Sequence, residues 1–237
     1  MSDERERRAA VLAWRYGGLE GEALLEPLIT REFRGRIALL SSFGSEAALL
    51  LDMVALIDRH TPVIFLDTGK LFGETLAYRD RLVARLGLAE LRSVAPDPAA
   101  LARRDPDGTL SDRDADACCQ LRKVEPLARA LRGFDAVISG RKRYHGGARR
   151  DLAAIEADAD IFRVNPLWRY DRPRLEQAFA ARRLPPHPLE AEGYLSIGCS
   201  PCTDRVAPEE DRRAGRWRGR DKTECGIHRP RLAPAAS

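Results

Sequence analysis

The sequence predicts an α/β protein with a doubly wound, mostly parallel β-sheet and an irregular C-terminal arm. Three short apolar runs, at 37–41, 62–67 and 135–139, alternate with helical stretches in the pattern of βαβ units. A weaker strand is expected at Ser93-Val94, and a further strand is expected at 161–164. Because ligands of parallel sheets bind beyond the carboxyl ends of the strands, we expect the turns that follow the three apolar runs to converge on one site.

The stretches between the strands carry apolar residues at helical spacing. Helices are expected over 3–17, 46–57, 74–86, 117–131 and 172–183. Val11, Leu12 and Trp14 are expected on the apolar side of the first helix. Pro126 has no amide hydrogen, so the fourth helix should break or kink there. Beyond residue 184 the pattern gives way to segments rich in proline, glycine and arginine.

Composition and charge limit the classes of protein to which this chain can belong. The chain has 237 residues, of which 44% are hydrophobic and 32% charged, and a net charge of +4. No apolar run approaches the roughly 20 residues that span a bilayer, and the charged first residues lack the apolar core of a secretory signal. Basic residues cluster at 141–150 and 205–231. We interpret these clusters as a binding site for a small polyanionic ligand, and not as surfaces that only contact solvent. Nucleic acid is disfavoured, because no array of aromatic residues accompanies these clusters.

The turns at two strand ends have the composition of a nucleotide site. The turn that contains Ser42 and Gly44 brings backbone amides to the start of a helix, where they suit a phosphate. It is not a Walker A loop, since no Gly-Lys-Ser/Thr follows. In the second turn, Asp67 could bind a ribose hydroxyl or cap the next helix. Because this second turn is expected to lie next to the first, we favour a nucleotide site over a helix cap as the role of Asp67.

Four of the five cysteines form two close pairs, Cys118-Cys119 and Cys199-Ser200-Pro201-Cys202. Adjacent residues of a helix point about 100° apart, so Cys118 and Cys119 suit separate corners of a [4Fe–4S] cluster better than one zinc ion. Buried thiols plus a redox-active Cys-x-x-Cys are the alternative. Lys123, one turn further on, is a candidate cation beside the cluster. An odd cysteine count without a disulfide pattern favours a reducing compartment, hence the cytoplasm.

The fifth cysteine, Cys225, is the thiol left for covalent chemistry. Lys222 nearby favours the reactive thiolate. Gly226 gives the segment freedom to move, and His228 could assist proton transfer. A chain with an iron–sulfur cluster and a reactive thiol is typical of enzymes of sulfur chemistry.

In these motifs the chain resembles the assimilatory adenylyl-sulfate (APS) reductases of the APS/phosphoadenylyl-sulfate (PAPS) reductase family, from about Leu39 to His228. The matching segments, in chain order, are 42–44, 65–72, 75–78, 118–119 with 122–127, 139–143, 197–203, 215–217 and 222–228. The resemblance implies an adenine nucleotide α-hydrolase-like sheet. It also implies thioredoxin-dependent reduction of APS to sulfite and AMP, in sulfate assimilation and cysteine biosynthesis. Thioredoxin, or a glutaredoxin-like dithiol protein, would release sulfite from an S-sulfocysteine.

The resemblance also implies roles for individual residues. Cys225 would be the nucleophile, and a [4Fe–4S] cluster near the substrate would support binding or activation electrostatically. The cluster ligands would be Cys118, Cys119, Cys199 and Cys202. The residues implied around the substrate are Ser42, Gly44, Asp67, Thr68 and Gly69 at the nucleotide, Arg141, Arg213 and Arg216 at phosphate and sulfate, Lys123 between cluster and substrate, and His228.

Two positions depart from the family pattern. Ala47 stands where the family usually has serine, which removes a side-chain contact but leaves the backbone amide as a donor. Tyr144-His145 stands where glutamine is common, and the sequence offers no account of this substitution.

Several alternatives stay open at the level of sequence. A PAPS reductase, or an enzyme that uses both nucleotides, would share most of these motifs. A tRNA-modifying sulfurtransferase would need a loop richer in glycine with serine in place of Ala47. A third alternative is a four-cysteine zinc module that binds RNA.

We expect a single domain, with the nucleotide and cluster sites in 1–203 and a mobile basic arm in 204–237. Both a monomer and a homo-oligomer remain open.

Overall fold

One mixed β-sheet organises the chain in the computed structural model, which describes residues 2–158 and 160–228. Its strands are β1 (Ile37–Leu40), β2 (Val63–Leu66), β3 (Leu91–Val94), β4 (Ala136–Ile138), β5 (Ile155–Ala157) and β6 (Phe162–Val164). The order across the sheet is β3-β2-β1-β4-β6-β5, and all neighbours are parallel except β5 and β6. The predicted fold class is therefore confirmed.

Helices cover both faces of this sheet. They are α1 (Ser2–Tyr16), α2 (Gly21–Pro27), α3 (Ala47–Asp58), α4 (Gly73–Leu86), α5 (Pro98–Arg104), α6 (Leu110–Arg113), α7 (Ala115–Cys119), α8 (Glu125–Ala130) and α9 (Arg172–Ala181). Within the described ranges, no helix has both the length and the apolar character needed to cross a membrane.

Alternate residues of each central strand enter two separate hydrophobic cores, as the two-residue period of a strand requires. Leu39 and Phe65 belong to the larger core, which α2, α3 and α4 cover. Ala38 and Ile64 point the other way, into a smaller core under α8. This two-sided burial is what makes the central strands continuous apolar runs in the sequence.

Two strands carry little sequence signal for a physical reason. β3 lies at an edge of the sheet, and its residues Arg92 and Ser93 are exposed. β5 is the opposite edge strand and has three residues, with only Ile155 buried. Edge strands need no apolar residues on both faces, so β3 is longer than expected from its sequence and β5 was not predicted.

The predicted break near Pro126 takes the form of a widened turn. Residues Gln120–Val124 form a π-helix between α7 and α8. Pro126 cannot donate a hydrogen bond to the carbonyl four residues earlier, which removes one constraint on this turn. Wide turns of this kind are frequent at functional sites, and this one follows Cys118-Cys119 directly.

The prediction of one apolar side on α1 is wrong for two residues. Leu12 is buried, whereas Val11 and Trp14 are exposed, Trp14 by 85%. Leu12 and Trp14 lie about 160° apart around a helix axis, so they cannot share one narrow face.

The described part of the C-terminal arm, 204–228, packs on the rest of the chain. The Val206 amide donates to the Gly193 carbonyl at 3.0 Å, and the Trp217 amide donates to Cys202 O at 3.2 Å. Residues 229–237, including Arg231 of the predicted basic cluster, lie outside the described residues. The mobility of the arm stays a prediction.

Candidate active site

A cavity of about 250 Å³ lies beyond the carboxyl ends of β1, β2 and β4. The three turns expected to converge all contribute to it, through Ser42, Thr68 and Arg141 among others. The predicted site residues on its wall are Ser42, Gly44, Thr68, Lys123, Arg141, Arg213, Arg216, Cys225 and His228. Asp67 and Gly69 lie outside this wall, and Asp67 Oδ1 accepts a hydrogen bond from the Gly69 amide at 3.1 Å.

The first turn is held in an uncommon backbone conformation. Phe43 has a φ of 49° and is fully buried, with its ring edge-on to Phe65 at 5.5 Å. The Phe43 amide donates to Ser41 Oγ at 3.2 Å. A positive φ is costly for a residue with a bulky side chain and is found where surrounding structure enforces it, often at functional sites. The turn leads into α3, and Glu46 and Ala47 at the start of this helix line the cavity.

The second turn is tied to the segment that carries Cys199 and Cys202. Thr68 Oγ1 lies 3.2 Å from Cys199 Sγ, and the Ser200 amide donates to Lys70 O at 2.8 Å. From the other side, Arg122 donates to Thr68 O at 2.8 Å and pairs with the buried Asp105. These contacts bring the two cysteine pairs together although 80 positions of chain separate Cys119 from Cys199.

The two cysteine pairs form one buried group of free thiols. Cys118, Cys119, Cys199 and Cys202 are each less than 10% exposed, and none forms a disulfide. Burial, followed by the charge of Cys199, raises the pKa values of Cys118 and Cys202. Burial also raises the pKa of Cys119 to about 11, against the effect of Lys123. Among the described residues, no three His, Cys, Asp or Glu side chains converge closely enough for a single metal ion.

Lys123 lies within electrostatic reach of both this thiol group and Cys225. Burial disfavours its charge, but the electrostatic influence of Cys199 and Cys225 outweighs burial and raises the Lys123 pKa. Nearby, the buried indole Nε1 of Trp217 has no hydrogen-bond partner in the part of the chain that the structure describes. A buried donor without an acceptor is costly, so the surroundings of the thiols fit a group that brings hydrogen-bond acceptors.

Cations dominate the other side of the cavity, and most of them are paired with carboxylates. Arg141 pairs with Glu156, and Lys142 Nζ lies 2.6 Å from Glu46 Oε2. Burial would raise the pKa of Glu46, but Lys142 and His145 outweigh burial and hold it well below the usual range. Glu46 therefore stays ionised.

Arg216 differs from these cations, because within the described ranges it has no carboxylate partner. Its Nε donates to Cys202 O at 3.2 Å, and its guanidinium lies 4.3 Å from the Trp217 ring centroid. The guanidinium rests against Gly198, where an added Cβ would lie 2.4 Å from Arg216 Nη2. An unpaired, planar guanidinium at a cavity wall suits a phosphate or sulfate group.

Cys225 and His228 approach the cavity from the C-terminal segment. Cys225 is partly exposed, unlike the other four thiols. His228 Nδ1 is buried and, within the described residues, has no hydrogen-bond partner. Burial, then the charges of Arg141 and Arg149, hold the pKa of His228 well below its ordinary value. The imidazole is therefore neutral near pH 7.

The sequence reasoning missed several residues of the wall. Arg149, Glu46 and Glu224 all line the cavity, although none was singled out as a site residue. Tyr144 and His145, which the sequence could not explain, both contact Glu46. The available signal was position: Arg149 lies in the basic stretch after β4, and Glu224 precedes Cys225.

The chain is similar to known proteins over most of its length. Residues 36–205 match the family described as the phosphoadenosine phosphosulfate reductase domain. The adenosine 5'-phosphosulfate reductase of Chelativorans sp. is 48% identical over 231 residues, which cover 97% of this chain and 94% of that protein. The phosphoadenosine 5'-phosphosulfate reductase of Gloeobacter violaceus is 40% identical, with 92% of each chain covered.

A solved structure shares the fold. The phosphoadenylyl-sulfate reductase of Candida auris, in a phosphate complex, superposes with a TM-score of 0.66 at 23% identity, over 84% of this chain and 96% of that one. Sheet, cavity and motifs define an α/β protein with a partly exposed thiol at a cavity beyond the strand ends. The chain belongs to the phosphoadenosine phosphosulfate reductase family.

Proposed function

We propose that this protein is an adenylyl-sulfate reductase that reduces APS to sulfite and AMP with electrons from a dithiol protein. One observation carries the proposal: the partly exposed thiol of Cys225 lines the same cavity as the first turn and Arg216. A nucleotide bound at that turn would bring its anionic groups to the arginines. The relative from Chelativorans, almost half identical over the whole length, bears the name of this activity.

The first chemical step uses Cys225 as nucleophile. Its thiolate attacks the sulfate sulfur of APS and forms an S–S bond. The bond between that sulfur and the bridging phosphate oxygen breaks, and AMP leaves with its electron pair. Lys123 and Arg216 stabilise the negative charge of the phosphate and sulfate groups, and neutral His228 offers a hydrogen bond at the same wall.

The second step releases sulfite by thiol exchange. A thiolate of thioredoxin, or of a glutaredoxin-like protein, attacks Cys225 Sγ, and sulfite leaves with the electrons of the S–S bond. The second thiol of the donor resolves the mixed disulfide and restores the Cys225 thiolate. The donor dithiol thus supplies both electrons and becomes a disulfide.

The five cysteines of the chain are free thiols, which suits the reducing cytoplasm, and we assign the protein to this compartment.

A [4Fe–4S] cluster is the cofactor that the buried thiols fit best. Its ligands would be Cys118, Cys119, Cys199 and Cys202, which lie within electrostatic reach of one another but do not converge as a single-ion site does. A cluster offers a separate iron to each thiolate and acceptors to the Trp217 indole. When bound, it would supply an electrostatic influence on the anionic substrate, with Lys123 between them.

The test measures sulfite formed by the anaerobically purified protein with thioredoxin and either APS or PAPS at equal low concentration. We expect sulfite from APS, and no sulfite from Cys225→Ser although this variant still binds AMP. Parent-like turnover by Cys225→Ser would refute the nucleophile, and absence of sulfite with both nucleotides would refute the function. Preference for PAPS would assign the chain to the activity named for the Gloeobacter violaceus relative instead.

A further inference from the structure

At the edge of the cavity, every nitrogen of the Arg149 guanidinium has a hydrogen-bond partner. Nε and Nη2 donate to the two oxygens of Glu224, at 2.7 and 2.8 Å. Nη1 lies 3.0 Å from Nδ1 of His145. The Arg149–Glu224 ion pair is therefore bidentate, the geometry in which arginine and a carboxylate restrict each other most. Glu224 is the residue directly before Cys225.

His145 fixes the orientation of this guanidinium. Arginine can only donate, so Nδ1 of His145 accepts and its Nε2 carries the hydrogen. Nε2 faces Glu46 Oε2 at 3.5 Å. Glu46 is itself held by Lys142 and by the Tyr144 hydroxyl. A continuous series of contacts thus runs from the start of α3, through His145 and Arg149, to the residue beside the reactive thiol.

The segment around Cys225 is also attached through other described residues, including Lys222, which pairs with Asp116. The Arg213 guanidinium donates to Thr223 O at 2.9 Å and lies 3.5 Å from Glu224. Arg163 donates to Ile227 O at 3.4 Å, and Ile227 packs against the smaller core. Gly226, with a φ of 84°, adds local freedom of the backbone. Among these attachments, the ion pairs of Glu224 lie directly beside the thiol in the sequence and can therefore restrain its position.

We propose that Glu224 is a positioning residue for Cys225, and that His145 acts with it by orienting Arg149. The proposal rests on the proposed function, because it concerns the thiol that would attack the sulfate. A misplacement of about 1 Å at a reacting atom can lower a rate by about a hundredfold. The contrary possibility is that Glu224 competes with the anionic substrate for Arg149 and Arg213, in which case its removal would speed the reaction.

The first test compares Glu224→Gln with Glu210→Gln in the cluster-loaded full chain. Glu210 is a matched control, since it also forms a bidentate pair, with Arg218 at 2.8 and 3.0 Å, but lies away from the cavity. We expect Glu224→Gln to lower kcat for sulfite formation at least about tenfold, without raising KM for APS. Glu210→Gln should keep the parent kcat. An unchanged or higher kcat for Glu224→Gln would overturn the proposal.

The second test asks whether His145 acts through hydrogen bonding. Glutamine can accept from Arg149 and donate to Glu46, so His145→Gln should recover most of the kcat that His145→Ala loses. Equal losses in the two variants would overturn the role of His145.

Hydrogen exchange of 222–228 in the ligand-free protein tests the restraint without any substrate. We expect faster exchange in Glu224→Gln than in Glu210→Gln and the parent. Equal exchange would refute the restraint even if the enzyme is active, whereas a parent that forms no sulfite but shows this difference would refute only the proposed function.

Discussion

At the scale of single residues, Gly198 matters because of what lies against it. The guanidinium of Arg216 occupies the space of a side chain at this position, and an added Cβ would also lie 2.6 Å from Arg216 Cζ. The glycine is therefore required by a neighbouring side chain and not by its own backbone conformation. Arg216 is held there by Cys202 O and the Trp217 ring.

We predict that Gly198→Ala weakens nucleotide binding by displacing Arg216. Loss of one charge-assisted hydrogen bond corresponds to about 1.5–3 kcal/mol, so the Kd for AMP or APS should rise about tenfold or more. Titration calorimetry would measure it. The control is Gly73→Ala, because an added Cβ at Gly73 meets nothing within 4 Å. An unchanged Kd in Gly198→Ala would show that Arg216 does not contact the ligand.

Other residues of the site carried no signal that sequence reasoning could use. The positive φ of Phe43 depends on a buried ring contact with Phe65, more than 20 positions away. The partners of His145, namely Glu46 and Arg149, become neighbours only when α3 and the β4 turn meet. Roles that depend on such long-range contacts cannot be read from the sequence, whereas Cys225 could be predicted as a candidate nucleophile from the residues next to it.

At the scale of elements, α7 presents two of the buried thiols and depends on its N-cap residue, Asp114. Asp114 Oδ1 accepts from the Asp116 and Ala117 amides at 2.9 and 2.8 Å. α7 has five residues, and Cys118 and Cys119 end it. α7 continues through the π-helix into α8, so Asp114 caps the start of the whole helical stretch that places both thiols.

We predict that Asp114→Ala lowers both the thermal stability and the iron content per chain. Loss of a helix cap costs about 1 kcal/mol, which corresponds to a fall in Tm of about 2–4 °C for a chain of this size. Asp171→Ala is the control, since Asp171 caps α9 in the same way, with Arg174 N at 3.0 Å, away from the cavity. Calorimetry would measure the Tm of both variants, and iron analysis would measure their iron content per chain. Equal iron content in the two variants would contradict this role of α7.

The elements also show where prediction from sequence ends. β1, β2 and β4 could be predicted because they are buried on both sides and therefore apolar throughout. The break near Pro126 could be anticipated from its missing amide hydrogen, but its form as a π-helix could not, because that depends on contacts such as Arg122 with Asp105. Edge strand β5 has too few buried residues to be recognised.

At the scale of the whole molecule, the two cysteine pairs link two segments of the fold that lie far apart in the sequence. α7 and the turn that follows Cys199 come together through Thr68, and the C-terminal segment passes over both. The sequence predicted this convergence, because the four ligands of the proposed cluster would have to meet. The paths of the intervening segments were not predicted, because no local pattern specifies them.

A bound cluster should therefore stabilise the C-terminal segment much more than the sheet. Cys202→Ser removes one of the four thiols, whereas Cys225→Ser makes the same change at a thiol outside that group and serves as the control. We expect Cys202→Ser to lose iron and to show faster hydrogen exchange over 199–228, with β1, β2 and β4 still protected by their own core. Iron analysis and exchange measured under anaerobic conditions decide. Full iron in Cys202→Ser would remove it from the ligand set, and iron loss without faster exchange would show that the segment is held by its protein contacts alone.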